Sequence, residues 1–271
     1  MNNVTYTIGY SCLEQELSNI DLPPHNPNVE ILIITQNQFA HKSDPVELLE
    51  SISTREDTRL ISLDSLGVAK SRNVAINEAS GKYLFFGDDD ITWNIESMEQ
   101  IVEHFDNSPS LSLVLAQGLD GLGKLRKNYP NHVKLLNRYN SAKAATYEIA
   151  IRVQPFRSNN IYFNPSFGAG MINHLGDEYI FISDACKAGL TCKFIPIPLA
   201  THASSSSGDA FGTMNDARSR AAVFNHVFGK GAPFIRLAFI CRHLQKFKNL
   251  KLIIQFLFNR FGNAKTVNPK K

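Results

Sequence analysis

Short apolar runs alternate with amphipathic stretches along the first third of the chain. A 3.6-residue period predicts helices over Val46–Ile52 and Gly67–Ala79, and the polar segment Asp21–Asn28 predicts a loop. Runs rich in β-branched and aromatic residues predict four strands, which are Val4–Ser11, Glu30–Gln36, Arg59–Leu63 and Lys82–Phe86. Because strands that alternate with helices form parallel sheets, the pattern predicts an α/β fold.

Three consecutive aspartates follow the last of these strands. Ligand sites in parallel sheets lie beyond the carboxyl ends of the strands, and Gly87, Asp88, Asp89 and Asp90 come directly after Phe86. Adjacent carboxylates repel one another unless a cation or several hydrogen-bond donors compensate. Hard oxygen ligands select Mg²⁺ or Mn²⁺, which keep positions open for substrate phosphates. The position favours a metal site, and a solvated acidic turn is the alternative.

The helix before this strand carries an arginine on its apolar face. At about 100° per residue, Arg72 projects from the middle of a face made of Val68, Ala69, Ala75, Ile76 and Ala79. An unpaired buried charge is costly, so Arg72 requires an anionic partner. The aspartates or a bound diphosphate would serve, and a purely structural Arg–Asp pair is the alternative.

A second group of candidate residues lies downstream. Gly168, Ala169 and Gly170 form a run of small residues that suits close approach by a ligand. Asp177 and Glu178 then begin a predicted helix, on which Glu178 falls among apolar positions. Such surroundings disfavour the charged form of a carboxylate, as is typical of a general base. The alternatives are a capping role for Asp177 and a first-turn acid at Glu178 that the helix dipole favours.

The charge is distributed unevenly along the chain. Residues 1–216 hold 25 Asp and Glu against 16 Lys and Arg, a net charge of −9, whereas residues 217–271 hold 12 Lys and Arg and no acid. Apolar residues alternate with these cations over 218–262, which is typical of basic amphipathic helices on anionic membrane surfaces. Helices packed on the preceding domain, with a solvated basic face, are the alternative. The chain thus divides into a domain of residues 1–215 and a basic helical extension of residues 216–271.

The length and composition of the chain exclude some classes of protein. A chain of 271 residues with 43% hydrophobic content can bury one large core. Its apolar runs fall short of the roughly 18 residues that span a bilayer, and its first residues lack a secretory pattern, which predicts a cytoplasmic protein. The four cysteines form no Cys-x-x-Cys pair and are predicted to be buried free thiols. The basic segment shows no nucleic-acid-reading motif, so no nucleic-acid partner is expected.

Three segments in succession, Gly67–Asn73, Ala79–Tyr83 and Phe86–Asp90, closely resemble the signature of glycosyltransferase family 2. Four later segments are similar to the acceptor-side half of that family, namely Phe167–Gly170, Gly176–Glu178, Ala188–Leu190 and Pro196–His202. The resemblance covers residues 4–207. It implies a GT-A fold, which is a Rossmann-like, mixed and mostly parallel sheet flanked by helices, here with a C-terminal basic helical extension.

The resemblance also implies roles for particular residues. Asp88 and Asp90, together with His202, would hold Mn²⁺ or Mg²⁺, and Glu178 or Asp177 would be the catalytic base. The donor would lie against Gly9, Tyr10, Gln36, Arg72, Asp88, Asp89, Gly168, Ala169, Gly170 and His202.

Two positions depart from the family's pattern. Gln36 and Asn37 stand where the family commonly has an aspartate that contacts the nucleotide base. The resemblance favours a UDP-sugar, but these two residues do not indicate a preference for uracil. The family's Glu-Asp pair is reversed here to Asp177-Glu178, which keeps both residues as candidates for the base.

The activity that the resemblance implies is inverting sugar transfer. A hexosyl or related group would pass from a nucleotide diphosphate sugar to a glycan or lipid-linked saccharide, in bacterial surface-polysaccharide synthesis such as that of capsule or lipopolysaccharide. Membrane binding by the basic extension would place the enzyme on the inner face of the cell membrane. Two other classes stay open: a catalytically silent nucleotide-sugar-binding subunit of a polysaccharide-assembly complex, and a metal-dependent nucleotidyl or phosphoryl transferase.

Overall fold

The computed structural model describes residues 4–36, 54–202, 213–247 and 249–261. Its strands are β1 (Tyr6–Leu13), β2 (Val29–Gln36), β3 (Thr58–Leu63), β4 (Tyr83–Asp88), β5 (Ile91–Trp93), β6 (Leu111–Leu119), β7 (Lys134–Leu135), β8 (Ile149–Arg152) and β9 (Thr191–His202). Its α-helices are α1 (Val68–Glu78), α2 (Ile95–Asp106), α3 (Val153–Ser158), α4 (Asp177–Lys187), α5 (Met214–Phe228), α6 (Ala232–Arg242) and α7 (Leu250–Phe258). The predicted helix over Val46–Ile52, like Asn37, lies outside the described residues.

The described strands form a single mixed sheet in the order β3-β2-β1-β4-β8-β6-β9-β5, with β7 paired to β9. The first four strands in this order are mutually parallel, and β6 runs parallel to β9. The antiparallel pairings join only two or three residues of each strand. The sheet is therefore mostly parallel and is flanked by helices, which confirms the predicted fold class.

Helices cover both faces of the sheet. Alternate residues of β4 point to opposite faces, so that Tyr83 and Phe85 join one core while Leu84 and Phe86 join the other. Helix α2 packs on the first core, and helices α1, α3 and α4 pack on the second. Because every residue of β2 is buried, its nearly continuous apolar sequence has the form expected of a central parallel strand.

Strands β4 and β9 both end at predicted site residues, and β4 extends further than the predicted strand Lys82–Phe86. Strand β4 continues through Gly87 to Asp88, which pairs with Ser11 of β1. Strand β9 continues to His202, which pairs with Ile91. Asp88 and His202 are therefore held by backbone pairing in the sheet and do not belong to free loops.

The C-terminal helices pack on the α/β body and on one another. Val223 and Val227 of α5 contact Tyr179 and Ile180 of α4. A second cluster joins α5, α6 and α7 through Ala217, Ala221, Ile240, Leu252 and Phe256. The division predicted between residues 215 and 216 falls within the first turn of α5. None of the helices in the described ranges combines the length and the apolarity that a bilayer crossing needs.

The cysteines only partly follow the sequence prediction. All four are free thiols, and Cys12 and Cys192 are buried. Cys186 is half-buried, and Cys241 is exposed on α6. The prediction of burial is therefore wrong for Cys241, because its side of α6 faces solvent.

Candidate active site

A buried guanidinium lies among three carboxylates from separate parts of the chain. Arg72 lies on the buried face of α1, and its Nη2 is 3.1 Å from Asp88 Oδ1 at the end of β4. Its Nη1 is 2.5 Å from Asp177 Oδ2 and 3.8 Å from Glu178 Oε1, both in the first turn of α4. The sequence predicted that Arg72 would face inward, and the structure brings it together with both of the predicted carboxylate groups. One cation among three acids leaves this cluster with a net negative charge when all are ionised.

Asp177 and Glu178 differ sharply in their surroundings. The Asp177 side chain is 5% exposed, and burial raises its pKa; the charge of Glu178 adds to this effect, and the charge of Arg72 opposes it. The Glu178 side chain keeps 20% exposure and accepts a hydrogen bond of 2.7 Å from Thr146 Oγ1. The sequence pattern predicted that Glu178 would be the more buried carboxylate, and the structure shows that Asp177 is. Glu178 is therefore the more accessible carboxylate of the pair.

The small-residue run packs directly on this carboxylate pair. Gly168 has φ +98°, and a Cβ built there would lie 2.8 Å from Asp177 Oδ2. Ala169 O accepts a 3.4 Å hydrogen bond from Val68 N, which ties the loop to the start of α1. Gln36 joins the same region, because its Nε2 donates to Gly67 O at 3.1 Å. The predicted residues Gln36, Gly168, Ala169 and Gly170 therefore lie together at the N-terminus of α1.

Alanine at position 168 is expected to disturb both the backbone and the buried carboxylate. The positive φ disfavours a side chain, and the clash with Asp177 cannot relax freely because Arg72 holds that carboxylate. We expect Gly168→Ala to lower the free energy of unfolding by about 3 kcal/mol in urea titration and to reduce turnover.

The matched control for this substitution is Gly123→Ala. Gly123 also has a positive φ, of +74°, but a Cβ there would meet nothing within 4 Å. This control is expected to cost only about 1 kcal/mol and to leave turnover unchanged. Equal losses for the two variants would show that the contact with Asp177 carries no cost.

The three aspartates after Phe86 point to three different partners. Asp88 contacts Arg72, Asp89 accepts a 3.2 Å hydrogen bond from Asn19 Nδ2, and Asp90 Oδ1 lies 3.3 Å from His202 Nε2. Each carboxylate thus has a partner within the protein. Their mutual repulsion, from which the sequence analysis inferred a cation, does not by itself require a metal ion.

His202 is held on two sides by residues that the sequence analysis did not identify. Arg126 Nη1 contacts His202 Nδ1 and donates to His202 O at 2.9 Å, and the Tyr147 ring stacks on the imidazole at 5.2 Å. A guanidinium only donates hydrogen bonds, so Nδ1 is the acceptor and a neutral imidazole carries its proton on Nε2. Coordination of a metal through Nε2 would require this tautomer to change. A role for His202 as a metal ligand therefore stays a prediction.

The carboxylates of Asp88 and Asp90 suit a divalent cation. Their side chains keep 30% and 39% exposure, and both offer hard oxygen ligands. In the part of the chain that the structure describes, no group of three or more His, Cys, Asp or Glu residues is placed to hold a metal ion. Two carboxylates fit an ion such as Mg²⁺ or Mn²⁺ that takes its other ligands from phosphates and water.

Two of the predicted donor-binding residues, Gly9 and Tyr10, lie inside the sheet on β1. Gly9 has its Cα hydrogens against helix α1, since a Cβ there would be 3.0 Å from Ala75 Cβ. Tyr10 is fully buried, and its hydroxyl donates to Asp21 O at 3.3 Å. A donor contact at either residue stays a prediction.

Most of the site residues that the sequence did not predict come from the segment between β6 and β8. Arg126, Tyr147 and Thr146 come from it, and an ion pair between the half-buried Lys127 Nζ and the buried Glu148 Oε1, at 2.7 Å, anchors it. Tyr129 also donates to Glu148, at 2.6 Å. This segment has no regular periodicity, so nothing in the local sequence pattern indicated that it would close over the site.

Comparisons with known proteins bear on the whole arrangement. The model of the family described as "Glycosyl transferase family 2" matches residues 10–164, which is more than half of the chain. Among curated proteins, nothing matches. The chain is similar to the crystal structure of S. aureus TarS 1-349, with a TM-score of 0.60 and 14% identity over 93% of this chain and 81% of that one.

Two liganded forms of the same S. aureus protein are also similar. TarS 1-349 in complex with UDP gives a TM-score of 0.57 and 17% identity over 89% of this chain and 72% of that one. The complex with UDP-GlcNAc gives 0.58 and 14% over 93% and 81%. At these identities the likeness shows a shared fold, and it carries no information about which sugar or acceptor this chain uses.

Proposed function

The chain belongs to glycosyl transferase family 2, and from that premise we propose that it is an inverting enzyme which transfers a sugar from a nucleotide diphosphate sugar to a saccharide acceptor. The observation that carries the proposal is the convergence of Arg72, Asp88, Asp177 and Glu178 at the carboxyl end of β4. Ligands of α/β sheets bind at such strand ends.

The donor is proposed to lie between the Asp88–Asp90 tip and the Gly168–Gly170 loop. A UDP-sugar is the favoured donor, and S. aureus TarS, which has a similar fold, has been crystallised with UDP and with UDP-GlcNAc. Burial raises the pKa of Asp88, and Arg72 would oppose that rise and orient the carboxylate, because the guanidinium donates directly to it. A bound Mn²⁺ or Mg²⁺, held by Asp88 and Asp90, would neutralise negative charge on the diphosphate.

Glu178 is proposed as the catalytic base. It is the more exposed member of the acidic pair, and Thr146 fixes one of its oxygens. The acceptor hydroxyl oxygen would bond to the anomeric carbon, its proton would pass to Glu178, and the bond from that carbon to the phosphate oxygen would break. Asp177 would act as a positioning residue, because its buried carboxylate binds Arg72.

The proposals for the acceptor and the pathway come from the family resemblance of the sequence. The acceptor would be a glycan or a lipid-linked saccharide, and the product would enter bacterial surface polysaccharide such as capsule or lipopolysaccharide. We place the activity in the cytoplasm, at the inner face of the membrane, with residues 1–215 as the catalytic domain and residues 216–271 as the basic extension.

The test is product analysis after incubation with a panel of nucleotide sugars and Mn²⁺. Donors are first selected by the rise in melting temperature that they cause, with and without Mn²⁺. The proposal predicts a free nucleoside diphosphate and a sugar joined to the acceptor. Cleavage between the phosphates would instead indicate a nucleotidyl or phosphoryl transferase, and stabilisation without any product would indicate a silent binding subunit.

A further inference from the structure

Helix α6 places its apolar and charged residues in an unusual way. Arg236 is buried, where its Nε donates to Leu257 O at 2.9 Å and its Nη1 contacts Asn225 Oδ1. Phe234 is 76% exposed, and Leu237 lies beside it on the same solvent-facing side. A surface helix of a globular protein normally has the opposite arrangement. Water is therefore a poor environment for the outer face of α6.

Helix α7 continues the exposure of large apolar side chains. Leu250, Ile254 and Phe258 recur every four residues, and all three are exposed. The opposite side of this helix packs inside the protein, because Leu252 and Phe256 are buried against α5 and α6. Single exposed apolar residues are ordinary, but two packed helices that both present apolar faces indicate an interaction surface.

Cations flank these apolar faces. Arg242 lies at the end of α6, Lys251 lies next to Leu250, and Arg260 follows α7; all three side chains are exposed. No acidic residue occurs anywhere in residues 217–271. Exposed apolar side chains with neighbouring cations and no acidic residue match the boundary between the acyl chains and the headgroups of an anionic bilayer.

This charge pattern also favours one kind of binding partner for the surface of α6 and α7 over the others. Twofold pairing of this surface with a second copy would bring the same cations face to face, which disfavours self-association. A nucleic acid would satisfy the cations but would leave Phe234, Leu237, Leu250, Ile254 and Phe258 without apolar partners. An anionic lipid surface satisfies both parts of the pattern.

We propose that the outer faces of α6 and α7, formed by Phe234, Leu237, Leu250, Ile254 and Phe258 with Arg242, Lys251 and Arg260, dock on an anionic lipid bilayer. This inference is independent of sugar transfer, because it rests only on exposed side chains of the C-terminal helices. Docking would hold the enzyme at a surface where a lipid-linked acceptor resides.

The experiment is sedimentation of the full chain with vesicles, and it needs no donor or acceptor. Vesicles of phosphatidylcholine mixed with phosphatidylglycerol are expected to bind the protein, and vesicles of phosphatidylcholine alone are expected to bind it weakly. Replacing Arg242, Lys251 and Arg260 together by Gln should weaken binding by about a hundredfold, since each cation near the lipid contributes a factor of about five in affinity and the three factors multiply. Phe234→Ser with Leu237→Ser should weaken binding to a similar extent.

Two matched controls complete the experiment. Leu122→Ser with Leu135→Ser removes apolar side chains that are as exposed but lie on the α/β body, and Lys124→Gln with Lys134→Gln and Lys143→Gln removes three exposed cations there. Both controls should bind vesicles like the wild type. Equal binding by all variants, or a stable dimer by light scattering that the Phe234 and Leu237 changes dissolve, would overturn the proposal.

Discussion

Replacement of Glu178 by glutamine is expected to lower kcat for sugar transfer by a factor on the order of 10³, with little change in KM for the donor. Glutamine keeps the size of the side chain and can still accept the hydrogen bond from Thr146. It cannot take a proton from the acceptor hydroxyl. Steady-state kinetics with the donor identified by the melting-temperature panel measures the effect.

Helix α4 offers a matched control for this change. Asp184 lies on the same helix but pairs with Lys187 and His226, so Asp184→Asn should retain activity. Asp177→Asn should behave differently again, because removing one partner of the buried pair with Arg72 should lower the free energy of unfolding by about 3 kcal/mol. If Glu178→Gln kept wild-type kcat while Asp177→Asn lost it without loss of stability, the two roles would have to be exchanged.

Replacement of Asp90 by alanine is expected to remove the stimulation of transfer by Mn²⁺ and to lower kcat/KM by about a hundredfold or more. Asp90 is the most exposed of the carboxylates that face the proposed diphosphate site, so it can bind an ion without breaking the Arg72 cluster. Rates measured across a Mn²⁺ titration report the effect.

The control for Asp90 is Glu103→Ala, which removes an exposed carboxylate from helix α2. This variant should keep both the rate and the metal dependence. Wild-type turnover with unchanged Mn²⁺ dependence in Asp90→Ala would mean that the acidic tip does not hold the ion.

Regular patterns in the sequence predicted the scaffold of the site well. The apolar runs of β2 and β4 identified central strands, and the period of α1 predicted the burial of Arg72, because both depend on local alternation of apolar and polar residues. The predicted end of β4 was less accurate, since pairing with β1 extends this strand beyond its apolar residues. Local patterns do not report how far a neighbouring strand reaches.

The contacts that tune the site were not predictable in the same way. Thr146, Arg126 and Tyr147 reach Glu178 and His202 from a segment without periodicity, whose path depends on the ion pair of Lys127 with the buried Glu148. The greater burial of Asp177 depends likewise on its packing against Gly168, a contact between the first turn of α4 and a separate loop. Such features follow from tertiary packing, which a single sequence does not encode in any local pattern.

Binding of Mn²⁺ in the presence and absence of a nucleoside diphosphate tests the central claim most directly. Electron paramagnetic resonance would follow free Mn²⁺ as wild-type protein is mixed with UDP, GDP or TDP. We expect at least one nucleotide to make the protein retain Mn²⁺ strongly, and we expect Asp90→Ala to lose that retention. Tight nucleotide binding that is identical with Mn²⁺ and with chelator, with no Mn²⁺ retained, would contradict the account.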